Sequence, residues 1–152
     1  MAGIVFWFQE KDMDVFSSRR IDLDAWRYAA KAGGIDKARC INQTDQHLHF
    51  DGDFDFEIIG QNSSDLRKWL EDQENAVIFQ CEWSCPSDAI PMRVVDHTKV
   101  DWYVFGEGNS TPPNLKGQYV YMPQCDQGGL HPVHAASAAM LRRWEELLEV
   151  NK

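Results

Sequence analysis

The chain lacks any apolar run approaching the ~20 residues that a bilayer-spanning helix needs, so no membrane partner is expected. It also lacks the basic opening of an export signal. Its first residues, MAGIVFWFQEKD, turn acidic at once and read as a first strand. Cysteine is sparse: Cys40, Cys81, Cys85 and Cys125 show no spacing of a secreted disulfide framework. Reduced thiols and a cytoplasmic location are the expectation. Cys81 and Cys85 form a lone C-x3-C without matching ligands, and no metal site is expected there. Positive charge is in deficit, 15 Lys and Arg against 24 Asp and Glu, a net charge of −9. That excludes broad, nonspecific nucleic-acid binding, and no DNA partner is expected. There is no internal repeat, low-complexity tract or linker, so residues 1–152 are expected to form a single domain.

What is present alternates between strand and helix signals. Ile4-Val5-Phe6-Trp7-Phe8 is an unbroken apolar run, the pattern of a strand buried on both faces. Asp22 to Ala32 reads as a helix with Asp22 as N-cap and Gly33-Gly34 as stop. Leu23, Trp26, Ala29 and Ala30 fall on one of its faces. Ile35–Ile41 predicts a second strand. Between 44 and 62, polar and apolar residues alternate, which suits a half-exposed strand or an extended excursion. His47 and His49 fall on one side of it. Asp53 to Glu57 lacks the spacing of a calcium loop and reads as a solvated acidic edge. Ser63–Glu71 predicts a capped helix, Ala76–Cys81 another buried strand, and residues 82–98 a loop with a short connection. Asp96-His97-Thr98 carries no partner motif. The sum is an α/β fold with a mainly parallel sheet.

From Tyr103 the order is strand, tight turn, strand, tight turn, helix. Tyr103-Val104-Phe105 stops at Gly106, and Tyr119-Val120-Tyr121-Met122 stops at Pro123. A Gly-rich polar loop follows, and a helix begins at Pro132. Gly and Pro at such turns let backbone N–H and C=O groups approach a ligand, so this stretch is the expected pocket. Trp26, Trp69 and Trp144 are read as packing residues on helices. Trp83 and Trp102 are read beside strand ends near that pocket, either packed in the core or stacked on a base or adenine ring.

These pieces resemble the SPOUT superfamily, specifically the small SpoU (TrmH-like) tRNA and rRNA 2'-O-methyltransferases. Asp22 to Gly33 supplies the Arg, small residues and Gly of the first motif, with the Arg at Arg27. Phe105-Gly106-Glu107 matches the second. Tyr121-Met122-Pro123, the loop to Leu130 and the small-residue helix to Met140 match the third. The resemblance implies helices on both faces of the sheet and a C-terminal trefoil knot. It implies a homodimer, and S-adenosylmethionine held largely by backbone at Phe79, Gln80, Phe105, Gly106, Glu107, Met122, Pro123 and Leu130. It implies an RNA substrate, with tRNA as the expected class.

The departures fall on the chemistry. Ile21 stands where the first motif keeps Asn, and Pro132 and His134 stand where the third keeps Asn and Ser. Three readings follow. In the first, Arg27 assists proton removal, His131 and His134 add titratable groups, and Arg19 and Arg20 hold RNA phosphate. In the second, the domain binds S-adenosylmethionine or a related ligand without RNA methyl transfer. In the third, it is a noncatalytic dimer module.

Overall fold

The computed structural model describes residues 1–9, 23–50, 52–81, 85–106, 114–122 and 132–149. Strand β1 spans Gly3–Phe8 and every residue of it is buried. Helix α1 (Leu23–Ala32), β2 (Lys37–Asn42), β3 (Asp55–Gly60), α2 (Ser63–Glu71) and β4 (Ala76–Cys81) follow. A two-residue strand β5, Ile90–Pro91, precedes single 3₁₀ turns at Met92–Val94 and His97–Lys99. Then come β6 (Trp102–Phe105), β7 (Gln118–Met122) and α3 (Pro132–Arg143), which runs on into a π-helical segment, Trp144–Glu149.

One seven-stranded sheet has the order β3-β2-β1-β6-β4-β7-β5, and every pairing is parallel. The period of two along each strand divides the core. Ile4, Phe6, Phe8, Val77, Phe79, Tyr103, Phe105 and Val120 face α1 and α3. Val5, Trp7, Ile41, Ile78, Trp102, Val104 and Tyr119 face Leu66 and Leu70 of α2. Helices therefore cover both faces of a parallel sheet, as the apolar runs require. Chain segments 107–113 and 123–131, through which the expected knot would thread, lie outside the described residues.

Helix α1 forms where the sequence places it, and its buried face is Trp26, Ala29 and Ala30. Trp26 stacks on Phe6 at 4.5 Å between ring centroids and reaches Phe105 at 6.0 Å. Phe105 in turn stacks on Phe79 at 4.7 Å. The helix stops in a Schellman motif: Gly34 adopts φ +77°, its N–H bonds to Lys31 O, and Ile35 N–H bonds to Ala30 O. Helix α2 carries a capping box between Asn62 and Asp65.

Helix α1 links two parallel neighbours and so runs back against the strands. Helix α3, leaving β7, does the same, and the two lie side by side. Their contact is closest at Gly33, where an added Cβ would sit 2.5 Å from Met140 Sδ. Ala136, Ala139 and Met140 are wholly buried, so the small-residue stretch of α3 is its packed face.

The 44–62 region is only partly strand. β3 occupies its end, pairing with β2, while His47–Phe50 is extended chain that inserts Phe50 against Phe6 and Phe56. The acidic edge is tied to the sheet, because Arg39 bridges Asp55 (3.1 Å) and Glu57 (3.3 Å). Pro91 sits in the last strand of the sheet, where a missing N–H is tolerated.

Trp26→Ala is expected to lower unfolding free energy by about 3–5 kcal/mol, because it empties the space between α1 and the sheet. Gly33→Ala is expected to lower it by about 1–3 kcal/mol, since Met140 must yield. Urea denaturation at neutral pH checks both, and a Gly33→Ala protein as stable as the parent would contradict the close helix contact.

Candidate functional site

Parallel pairing sends the carboxyl ends of all strands to one edge of the sheet. In open α/β sheets ligands bind at that edge, where the strand order reverses. Here β2 and β3 extend to one side of β1, while β6, β4, β7 and β5 extend to the other. The register aligns Phe79 of β4 with Phe105 of β6 and with Val120 of β7, and Cys81 with Met122. The residues of the expected pocket at Phe79, Gln80, Phe105, Gly106 and Met122 thus converge on adjacent strand ends. The rings of Phe79 and Phe105 are buried in the core, so these positions offer a ligand backbone rather than side chain. Gly106 is buried at the end of β6, where a ligand can approach the chain closely. Cys85 Sγ lies 3.8 Å from the Gln80 carbonyl oxygen and tethers the segment after β4. Glu107, Pro123 and Leu130 lie outside the described residues, as do Arg19, Arg20, His131 and Trp83.

Arg27 lies midway along α1. Its Nε pairs with Asp24 at 3.3 Å, its guanidinium covers the Tyr28 ring at 4.9 Å, and its side chain is 19% exposed. His134 is exposed on the first turn of α3. Gly33 abuts Met140, and each helix rises about 1.5 Å per residue. Arg27 and His134 are thus carried by the two helices that meet at Gly33 and Met140.

Trp102 is not near this edge. It opens β6 at the amino end, packs edge-on against Trp69 at 4.7 Å and lies under Lys37 Nζ at 4.5 Å. Its use is packing and a cation–π contact, because the strand begins at this residue instead of ending near it. His47 and His49 do fall on one side, with ring centroids 5.9 Å apart. Among the described residues no group of three or more His, Cys, Asp or Glu is placed to hold a metal.

A second polar cluster sits at the amino end of β6. Arg143 Nε donates to the Gly33 carbonyl (2.9 Å) and its Nη1 donates to Tyr103 Oη (3.2 Å). Tyr103 Oη and His97 Nδ1 are 2.8 Å apart. A guanidinium only donates, so the phenol oxygen accepts from Arg143, and the direction of its bond to Nδ1 follows the tautomer of His97. Nε2 of His97 is buried with no partner among the described residues. Burial pushes the pKa of His97 below its ordinary value, against the opposing pull of Glu146. Burial pushes that of Tyr103 up. The one sign of this cluster in the sequence is the phenol of Tyr103 inside an apolar strand, since a buried Tyr hydroxyl generally has a partner.

No protein-family model matches the chain, and no curated protein matches it in sequence. Solved structures do. An AdoMet-bound rRNA methyltransferase from Sinorhizobium meliloti matches 97% of this chain and 57% of its own, at 12% identity and a TM-score of 0.62. The chain has the fold of a SpoU-type RNA methyltransferase. A protein solved to explain the 2-OH methylation of C/U34 on tRNA matches over 96% of this chain and 95% of its own, at 13% identity and a TM-score of 0.58. The SpoU methyltransferase AviRb from Streptomyces viridochromogenes, with AdoMet bound, matches 95% of this chain and 59% of its own (12% identity, TM-score 0.53). The chain therefore spans little more than half the length of the Sinorhizobium and Streptomyces enzymes, but nearly all of the tRNA-directed protein.

Tyr103→Phe removes the hydroxyl shared by Arg143 and His97 and leaves both without that partner. It is expected to lower unfolding free energy by about 1–3 kcal/mol at pH 7.5. A Tyr103→Phe protein with parental stability in urea would contradict the assigned network.

Proposed function

We propose that the protein binds S-adenosylmethionine at the carboxyl edge of β6, β4 and β7 and transfers its methyl group to a ribose 2'-hydroxyl of RNA. The observation that carries this reading is the convergence of Phe79-Gln80, Phe105-Gly106 and Met122 on one edge, offering backbone, in a fold shared with AdoMet-bound enzymes. Residues at those strand ends fit the cofactor, because backbone N–H and C=O can read an adenine edge while small turns leave it room. Glu107, Pro123 and Leu130 would complete the cradle. When bound, S-adenosylmethionine supplies an electrophilic methyl on a sulfonium.

The chain's own groups have the remaining work. The 2'-oxygen becomes a nucleophile as its proton leaves, and Arg27 supplies a fixed cation to stabilise the growing negative charge. His134, on the first turn of α3, is the imidazole we assign to accept that proton. His131 is a second such group. Arg19 and Arg20 hold a phosphate of the substrate, a local basic element in a chain of net charge −9. The full coverage of the tRNA-directed protein favours tRNA as the substrate class. This reading carries with it the knotted path of the C-terminal segment and a cytoplasmic location.

A homodimer is part of the proposal. Tyr28 (61% exposed), Leu141 (54%) and Leu148 (40%) leave apolar surface on α1, α3 and the segment after it. A second copy of the chain is the occupant we assign to this surface, as the resemblance to homodimeric enzymes implies. One observation favours a second reading, a cofactor-binding domain without methyl transfer: Pro132 opens α3 where the third motif keeps Asn.

Calorimetry with S-adenosylmethionine tests the pocket, and absence of binding at millimolar ligand would overturn it. With binding established, Arg27→Ala is expected to keep cofactor affinity within about threefold and reduce transfer to bulk tRNA by at least about 100-fold. Unchanged transfer removes Arg27 from the mechanism, and no transfer by the parent protein selects the second reading. Light scattering of the parent is expected to give a dimer, and Leu141→Asp a monomer; a monomeric parent would overturn the assembly.

A further inference from the structure

The two ends of the sheet are joined by the helices that cover it. Helix α1 carries Arg27 and ends at Gly33, and α3 leaves the segment after β7 and ends at Arg143. At the far end the helices are fastened together by Arg143, whose fork spans the Gly33 carbonyl and Tyr103 Oη. Below the fork, Tyr103 Oη lies 2.8 Å from His97 Nδ1, and we assign His97 the Nε2–H tautomer, in which the phenol accepts from Arg143 and donates to Nδ1. The turn that carries His97 packs against the π-helical segment 144–149. Such segments are rare and recur at functional positions.

We infer that His97, Tyr103 and Arg143 form a proton-operated latch that fastens α3 to α1 when His97 is neutral and releases it when His97 is protonated. The geometry supplies the reason. A protonated imidazole carries hydrogen on both nitrogens and can no longer accept from Tyr103. The phenol proton then has no acceptor, and a cation stands beside the guanidinium of Arg143. The charged groups facing His97 are Arg142, Arg143 and Glu146 from the C-terminal helix and Asp96 on its own turn, with Tyr103 from β6. Glu146 is held by Arg142 at 3.4 Å. Nε2–H of His97 is buried and unpartnered, so Glu146 is the group a released latch would recruit. Protonation thus has both a bond to break and a carboxylate to draw in.

The sign follows from burial. Folded His97 binds its proton below the ordinary value of 6.5, so the unfolded chain takes the proton first. The contribution to stability is complete above about pH 6.5 and is lost as pH falls from there toward the folded value. Over that window the opening constant of the latch rises by up to about tenfold per pH unit. The consequence for the site rests on the proposed function: loosening α3 from α1 lets the helix that carries His134 shift relative to the helix that carries Arg27.

Amide hydrogen exchange of residues 132–149 from pH 7.5 to 5.0, corrected for intrinsic rates, tests the latch directly. The parent is expected to lose protection as pH falls below 6.5. His97→Gln, which cannot take up a proton, is expected to show a flat profile, and Tyr103→Phe low protection at every pH. A flat parent profile, or a parental slope retained in either variant, overturns the proposal. Should His97→Gln fail to fold, the His97 imidazole of the parent is titrated by NMR, where a midpoint at or above 6.5 overturns it. Methyl transfer to bulk tRNA at saturating S-adenosylmethionine, measured in parallel, is expected to fall more steeply with acid in the parent than in His97→Gln. Equal pH profiles of transfer while the parent helix loosens overturn the coupling to the site. Absence of any S-adenosylmethionine binding removes the proposed function, and the exchange profile still decides the latch.

Discussion

Four aromatic rings hold the central part of this fold in register. Phe6, Trp26, Phe105 and Phe79 form a continuous layer that crosses β1, α1, β6 and β4. Stacked rings resist sliding as well as separation, because their preferred offsets are lost on displacement. The layer fixes how far α1 stands from the sheet, and therefore the height at which Arg27 leaves the helix. It also turns the side chains of Phe79 and Phe105 inward, so these strand ends present backbone. The same four residues thus set both the exposed backbone at the carboxyl edge and the position of Arg27 on α1.

The opposite ends of the sheet divide the polar work. The carboxyl edge gathers groups suited to a ligand, and the amino end gathers groups that fasten helices. Lys37 and Arg39 lie over Trp102 at 4.5 and 5.5 Å, and Arg39 also neutralises Asp55 and Glu57 on the neighbouring strand. These cations are engaged with the protein itself. With a net charge of −9, the molecule presents no broad basic field.

Much of the architecture could be read from residue order because its strands are apolar on both faces. Ile4–Phe8 and Ala76–Cys81 leave no polar side for water, and only a sandwiched parallel sheet accommodates them. Gly33-Gly34 likewise announced the end of α1. β5 could not be read, since two residues carry no period and the strand exists only through its pairing with Val120 and Tyr121. His47–His49 alternates like a strand, yet it pairs with no strand among the described residues and leads into Phe50, which packs against Phe6 and Phe56. The stop of β6 at Gly106 was legible as a turn signal. Asp96-His97-Thr98 carried no partner motif, since nothing in the order of residues reveals that Tyr103 packs on His97. Trp102 was placed by nearness to a strand end; which end is decided by where pairing starts.

The strand order has a bearing on how the chain comes together as it is made. β1 is born with β2 and β3 on one side, but its other neighbour is β6, which is separated from it by most of the chain. Until residues 102–105 emerge, the edge formed by Ile4-Val5-Phe6-Trp7 has no covering strand, and an uncovered apolar edge readily pairs with another molecule. β4 does not shield it, because β6 must enter between the two. β7 is then laid between β4 and β5 in the same way. Such late insertions join distant parts of the chain and are slow to form. The yield of folded protein should therefore depend on how long the nascent amino-terminal half waits, a kinetic exposure written into the topology rather than into any single contact.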